Sequence, residues 1–307
     1  MKDPYMDFID LKYKPEESDL VVLFRVEPAK GISMKEAIGR IASESSNGTW
    51  AELTTLKEHI RDIRARAFSI EGNYVKVAYP IELFEMGSIP QLMSAVAGNI
   101  FGMKALKSLR IEDIYFPEEY IKYFKGPGFG LDGVFGKIFK MEKRRPLLAH
   151  VPKPKVGMTT EEHTEVAKEA NEMLRRAWLV KELGGEYVMV DILTAGWAAV
   201  QTVRQRCEEL GLALHAHRAF HAAFTRNPKH GMSMLVVAKL ARLIGVDQIH
   251  IGTVVGKMEG SRKEVIDLDE EMVLEKMKPA KDVLSEEWYK IKPVVPVTSG
   301  GLHPGLV

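Results

Sequence analysis

Tyr187-Val-Met-Val-Asp-Ile-Leu193, Ala198–Leu210 and Leu212-Ala-Leu-His-Ala-His217 form the stretch whose reading decides the fold. A short apolar run is followed by a segment of helical spacing, and then by a second short apolar run. The rhythm continues downstream. Met232–Ile244 reads as a helix, Gln248–Gly252 as a strand, and Val294–Val297 as a strand closing in Thr298-Ser-Gly-Gly301. Upstream, Leu147–Val151 reads as one more strand, and Thr160–Leu183 as one long helix stopped by Gly184-Gly185. Apolar runs of strand length alternating with helical periods are the pattern of parallel βα units. Polar residues follow each run, where a βα barrel keeps its active site. Only five such strands are present, and a full barrel takes eight strands in roughly 250 residues.

The first part of the chain has a different texture. Val21–Val26 and Tyr74–Tyr79 read as strands halted by prolines, and Ser108–Tyr115 alternates as a strand does. Met34–Ser43 has helical spacing with Ser33 as its N-cap, and Gln91–Phe101 reads as a helix led in by Pro90. The expected organisation is an α/β protein: an α+β, ferredoxin-like unit over 1–135, then an incomplete parallel βα barrel over 136–307. Lys125-Gly-Pro-Gly-Phe-Gly130 is a breaker cluster and a candidate hinge near the join.

Composition narrows the function classes. The 307 residues carry 43 Lys+Arg against 42 Asp+Glu, a net charge of +1. Such a balance gives no overall field for a nucleic acid or an anionic membrane, so neither is expected as a partner. Cys207 is the single cysteine, which fits a reducing compartment. No apolar run approaches the ~20 residues that span a bilayer, and the start Met1-Lys-Asp-Pro-Tyr-Met has no signal-peptide core. A cytoplasmic protein is the expectation.

Four motifs carry possible chemistry. In Pro152-Lys153-Pro154-Lys155 two prolines hold the backbone extended and aim both lysines. A buried lysine there could serve as general acid or base, although loop lysines also simply confer solubility. In His215-Ala-His217-Arg218, with His221 following, two histidines share one face of a strand. That pattern suits structural hydrogen bonding or a zinc hydrolase, with Asp191 and Asp247 as further ligands at other strand ends. Gly252-Thr-Val-Val-Gly256-Lys257 resembles a P-loop but is one residue short, and Met258 stands where Ser or Thr must hold Mg²⁺. A lid with Lys257 between glycine hinges fits better. Thr298-Ser299-Gly300-Gly301 offers bare backbone N–H groups that can cradle a phosphate.

Taken together with Glu44–Trp50 and Ala95–Lys104, these motifs resemble the large subunit of ribulose-1,5-bisphosphate carboxylase/oxygenase (Rubisco), and most closely its archaeal form III. The resemblance runs from Tyr5 to Val307. It implies a homodimer or multiple of dimers, in which each site joins one barrel to the partner's N-terminal domain. It also implies Mg²⁺ as cofactor and the conversion of ribulose 1,5-bisphosphate and CO₂ to two 3-phosphoglycerates. Oxygenation would be a side reaction, and the setting would be nucleoside salvage. By resemblance, Lys153 protonates the last carbanion-like intermediate, Lys155 tunes it, and His217 handles substrate protons. Lys257 steadies the new carboxylate. Arg218 and His250 grip one phosphate, Ser299 makes a hydroxyl contact to substrate, and Gly300 and Gly301 contact the other phosphate. Glu44 and Asn99 are offered across the dimer, with Thr49 and Trp50 at a phosphate. Ile251 replaces a serine of the plant-type enzymes.

One family motif is missing. The string Gly-Gly-x-x-x-x-Lys-Asp-Asp-Glu, whose carbamylated lysine, Asp and Glu bind the Mg²⁺, does not occur in this sequence. The sequence passes from Ala170 to Asn171-Glu-Met-Leu-Arg-Arg, which resembles the start of a later barrel helix. Two strands are thus expected to be absent at Ala170/Asn171, and no metal ligands are assigned. Three readings follow: a carboxylase lacking that segment here, a Rubisco-like enolase or isomerase, and a non-catalytic Rubisco-derived fragment.

Overall fold

A computed structural model describes residues 4–46, 62–141, 170–255, 260–300 and 302. Strands β1 (Leu20–Pro28), β2 (Arg66–Glu71), β3 (Tyr74–Tyr79) and β4 (Leu106–Tyr115) form an antiparallel sheet in the order β2-β3-β1-β4. Helix α1 (Met34–Glu44) follows β1, and α2 (Ile89–Val96) precedes β4. This βαββαβ order is ferredoxin-like. The caps explain the helix starts: the Ser33 and Ser88 hydroxyls accept from the Glu36 and Gln91 amides. The expected helix Gln91–Phe101 therefore begins earlier, at Ile89, and it ends at Val96. The remainder is a separate 3₁₀ turn, Ile100–Gly102.

The second half holds a parallel sheet, β5 (Tyr187–Asp191), β6 (Ala213–His217), β8 (Gln248–Gly252) and β11 (Val295–Thr298), with neighbours in chain order. It is an incomplete barrel. Helices α3 (Ala170–Glu182), α4 (Trp197–Leu210), α5 (Met234–Ile244) and α6 (Arg262–Val273) alternate with these strands. Leu214, Ala216, Ile249 and Ile251 are buried in the apolar core, while His215, His217, Gln248 and His250 occupy the alternate positions of the same strands. β5 is an edge, and Tyr187 and Met189 on it are about half exposed at 51% and 42%. The expected strand Tyr187–Leu193 stops at Asp191 because Ile192–Ala195 turns helical. Leu147–Val151 and the first part of the expected helix Thr160–Leu183 lie outside the described residues.

Helix α5 joins the two halves. All of its residues are buried, so its near-uniform apolar sequence is that of a helix covered on every side. It starts later than the expected Met232. Gly231–Met232 forms β7, which pairs in parallel with Arg110–Ile111 of β4, and Ser233 then caps the helix. The antiparallel sheet is thereby extended by a strand from the second half. Two-residue strands β9 (Lys276–Met277) and β10 (Glu286–Glu287) pair separately.

Under β4 lies an ionic knot. Lys239 of α5 reaches Asp113 at 2.9 Å and Glu286 at 3.0 Å, all fully buried. Asp113 also accepts from the amides of Ile114 and Leu284, and Glu286 from that of Phe116. Arg242 lies over the Trp288 ring, whose indole donates to Glu271 at 2.8 Å. Burial and neighbouring carboxylates outweigh Lys239 and push the Glu286 carboxyl up to about 8.

The Lys125–Gly130 cluster, the candidate hinge, is hydrogen-bonded to the second half. The Gly126 and Gly128 carbonyls accept from Arg204 and Lys292, and the Phe129 and Gly130 amides donate to Asp247. Four hydrogen bonds thus run from it to helix α4 and to the segments that precede β8 and β11.

Candidate active site

Register builds the site. Asp191 on β5 is the cross-strand partner of His217 on β6, and His215 on β6 is the partner of Gln248 on β8. Side chains two apart on each strand share a face, so three strands present Asp191, His215, His217, Gln248 and His250 on one face. Ser299 arrives from the end of β11, its amide donating to the Gly252 carbonyl at 3.0 Å.

Two sets of contacts organise these groups. The Asp191 carboxylate engages His217 Nδ1. A carboxylate only accepts, so Nδ1 carries the hydrogen and the other ring nitrogen of neutral His217 keeps a lone pair able to take a proton. Beside it runs a chain of four side chains. Gln248 Oε1 meets His215 Nδ1 at 2.6 Å, His215 Nε2 meets His250 Nε2 at 2.7 Å, and His250 Nδ1 meets Ser299 Oγ at 2.9 Å. The His250 ring lies edge-to-face with both His215 and His217, at 4.8 Å between centroids in each case.

The electrostatics suit an anion. Burial, then the facing histidines and Arg218, push the His250 pKa down to about 3. Burial, then Arg218, push His221 down to about 4, and burial lowers His215. These rings are neutral at physiological pH. The fixed positive charge is Arg218, whose own pKa is lowered by burial. Its guanidinium lies against the Gly252 backbone, which has φ +93°, and a Cβ at that glycine would strike it. Among the described residues no hydrogen bond or ion pair to the Arg218 guanidinium is found, and Glu264 is the one charge that acts on it. A half-buried guanidinium is an anion-binding group.

The zinc reading does not survive this geometry. His215 has both ring nitrogens engaged. Asp247 precedes β8, so it sits at the opposite end of the sheet, where its carboxylate accepts from Phe129, Gly130 and Leu214. Among the described residues no three His, Cys, Asp or Glu side chains are grouped to hold a metal ion. The same donor set does not fit Mg²⁺, which prefers oxygen ligands in octahedral array.

The other sequence-derived positions divide. Gly300 follows Ser299 at φ +127°. Glu44 ends α1, and Asn99 leads the 3₁₀ turn after α2, exposed and without a side-chain cap bond. Both belong to the antiparallel half, and no hydrogen bond joins them to the strand-end cluster. Thr49, Trp50, Lys153, Lys155, Lys257 and Gly301 lie outside the described residues. Sequence reasoning placed Asp191 only as a metal ligand and gave Gln248 no role. The cross-strand register that makes them partners of the histidines carries no signal in a single strand.

The chain matches the ribulose bisphosphate carboxylase large chain N-terminal domain over residues 7–120 and its catalytic domain over 166–307. It belongs to the Rubisco large-chain family. Ribulose bisphosphate carboxylase of Pyrococcus horikoshii is 45% identical over 361 residues, covering 99% of this chain and 80% of that protein. The protein of the same name from Methanosarcina mazei is 42% identical over 362 residues, covering 98% and 84%. Each alignment is longer than the 307-residue chain, so these Rubiscos carry internal residues that this one lacks. Among solved structures, the dimeric archaeal Rubisco from Hyperthermus butylicus superposes with a TM-score of 0.88 at 41% identity, covering 99% of this chain and 84% of that one. The octameric Rubisco of Pyrococcus horikoshii, in complex with sulfate ion, gives 0.86 at 44% identity, covering 98% and 81%. No helix among the described residues is long and apolar enough to cross a membrane.

Proposed function

We propose that the strand-end site binds ribulose 1,5-bisphosphate and serves its carboxylation to two 3-phosphoglycerates, with oxygenation as a side reaction. The observation that carries this reading is a half-buried Arg218 guanidinium, without a hydrogen-bond partner among the described residues, beside a carboxylate-oriented His217 in a chain of the Rubisco family. Arg218 would hold a phosphate of the sugar. His217, oriented by Asp191, would accept and return a substrate proton at its free ring nitrogen. Ser299 would meet a substrate hydroxyl, and Gly300 with Gly301 the second phosphate. Lys153 would donate the last proton, tuned by Lys155, and Lys257 would steady the carboxylate formed from CO₂. Glu44, Thr49, Trp50 and Asn99 would be supplied by a second copy. That arrangement implies a homodimer built from units 1–135 and 136–307, working in the cytoplasm in nucleoside salvage as a form III protein.

A second reading rests on the absent Lys-Asp-Asp-Glu string. Family chemistry draws its metal ligands and its base from that string, and the described residues offer no substitute. On this reading the chain binds the sugar bisphosphate without fixing CO₂. Calorimetric titration with ribulose 1,5-bisphosphate tests the binding site, with Arg218→Ala as control. Incorporation of labelled bicarbonate into acid-stable product tests carboxylation. Binding with incorporation supports the first reading, binding without incorporation the second, and no binding defeats both. The intact mass of the purified chain shows in the same samples whether 34.5 kDa is the species measured.

A further inference from the structure

The chain of contacts from Gln248 to Ser299 has a direction, and its inner end sets it. Gln248 Oε1 has only lone pairs to offer, so His215 Nδ1 carries the hydrogen between them. A neutral imidazole carries one N–H, which leaves His215 Nε2 bare. His250 Nε2 faces that bare nitrogen at 2.7 Å and must therefore be the donor. His250 Nδ1 is then bare in turn, and the Ser299 hydroxyl at 2.9 Å donates to it. The Ser299 proton thus points inward and its lone pairs outward. Gln248, His215 and His250 are 7%, 8% and 6% exposed, so water does not compete for the inner contacts. The rings stay neutral because burial and the surrounding His217 and Arg218 oppose a further charge.

We propose that Gln248 and His215 are positioning residues that lock His250 as its Nε2–H tautomer and thereby make Ser299 a hydrogen-bond acceptor for a ligand hydroxyl. The group recognised at Ser299 is then one with a proton to give, as a sugar hydroxyl has and a phosphate dianion has not. This deepens the sugar-bisphosphate reading of the site and rests on it for the ligand's identity. The proton order itself stands on the geometry alone.

The test is long-range ¹H–¹⁵N correlation on the full chain labelled in its histidine rings. The expected spectrum shows His215 protonated at Nδ1 and His250 protonated at Nε2, each as one tautomer. Gln248→Leu removes the acceptor, and the His250 Nδ1 resonance should then shift from its bare position toward the protonated one, although residue 248 does not touch that ring. Gln248→Glu supplies an acceptor-only carboxylate and should restore the wild-type tautomers. It also serves as the control should the leucine variant fail to fold. A packing role alone would leave the tautomers unchanged in all three proteins. Finding His250 protonated at Nδ1 in the wild type, or unmoved in a folded Gln248→Leu, overturns the proposal. Ribulose 1,5-bisphosphate is then added, and the Arg218 side-chain resonance is followed. An unmoved Arg218 counts against the sugar-bisphosphate reading, while the tautomers judge the relay independently.

Discussion

Two of the buried polar clusters among the described residues, the triad at Lys239 and the strand-end group, differ in how far their members are saturated. Under β4, Lys239, Asp113 and Glu286 satisfy one another, and backbone amides fill the remaining carboxylate positions. At the strand ends, among the described residues, the Arg218 guanidinium has no such bonded partner and His217 is hydrogen-bonded at one ring nitrogen only. Burial of polar groups alone therefore does not mark a functional site. A saturated cluster fixes how elements pack, whereas an unsaturated one waits for a ligand. The two also respond to protons in opposite senses, because one shelters excess carboxylates and the other sheltered, neutral imidazoles.

The sharpest way to break this comparison is to remove one member of each cluster. Lys239→Met leaves two buried carboxylates without their cation and should cost about 3–5 kcal/mol in urea unfolding. Arg218→Ala should leave unfolding nearly unchanged or slightly stabilised. It should weaken ribulose 1,5-bisphosphate binding by roughly 1.5–3 kcal/mol, which is the range of a hydrogen bond to a charged group. Equal stability losses in the two variants would erase the distinction. Gly252→Ala probes the close approach of the Arg218 guanidinium to the Gly252 backbone. Its positive φ and the crowding against Arg218 predict a loss of about 1–2 kcal/mol, with weaker bisphosphate binding as a second readout.

The smallest expected effect is on the pH profile of stability, and its two limbs belong to the two clusters. Glu286 titrates at about 8 in the folded chain against an ordinary 4.5, so the folded state holds the proton more tightly. That contribution is complete below 4.5 and is lost as pH rises toward 8. His250 and His221 are shifted down to about 3 and 4 from 6.5, so their contribution is present above 6.5 and is lost as pH falls through that window. Thermal unfolding across this range should show Glu286→Gln flattening the alkaline limb only, and His250→Gln the acid limb only. A variant that flattened both limbs would show that the clusters are coupled.

Much of this architecture was legible before the structure. Gln248–Gly252 and Tyr74–Tyr79 match their strands, because short stretches with β-branched residues at alternate positions, ended by glycine or proline, admit little else. β2 was missed because Arg66-Ala-Phe-Ser-Ile-Glu71 buries only Ala67, so no alternation stands out. Helix α6 was missed beneath its charges, although Ser261 with Glu264 three residues on is a capping-box signal that the hydroxyl–amide bond bears out. His217 and Arg218 stood out as a dense polar pair after a strand. Asp191, Gln248 and the knot at Lys239 did not, since each takes its meaning from a partner on another element.

The reach of the Lys239 contact has a consequence for the order of events during synthesis. Asp113 is translated within the first sheet, but its cation follows 126 residues later and the Leu284 amide 171 residues later. At a ribosomal pace of ~5–20 residues per second, the nascent sheet carries an uncompensated carboxylate on its edge strand for roughly 6–25 seconds. Strand β7 and helix α5 emerge together, so the missing ladder partner of β4 and the missing charge are supplied in one step. The ferredoxin-like half is thus first in the chain but not first to finish, and its final locking is timed by the growth of the half that bears the site.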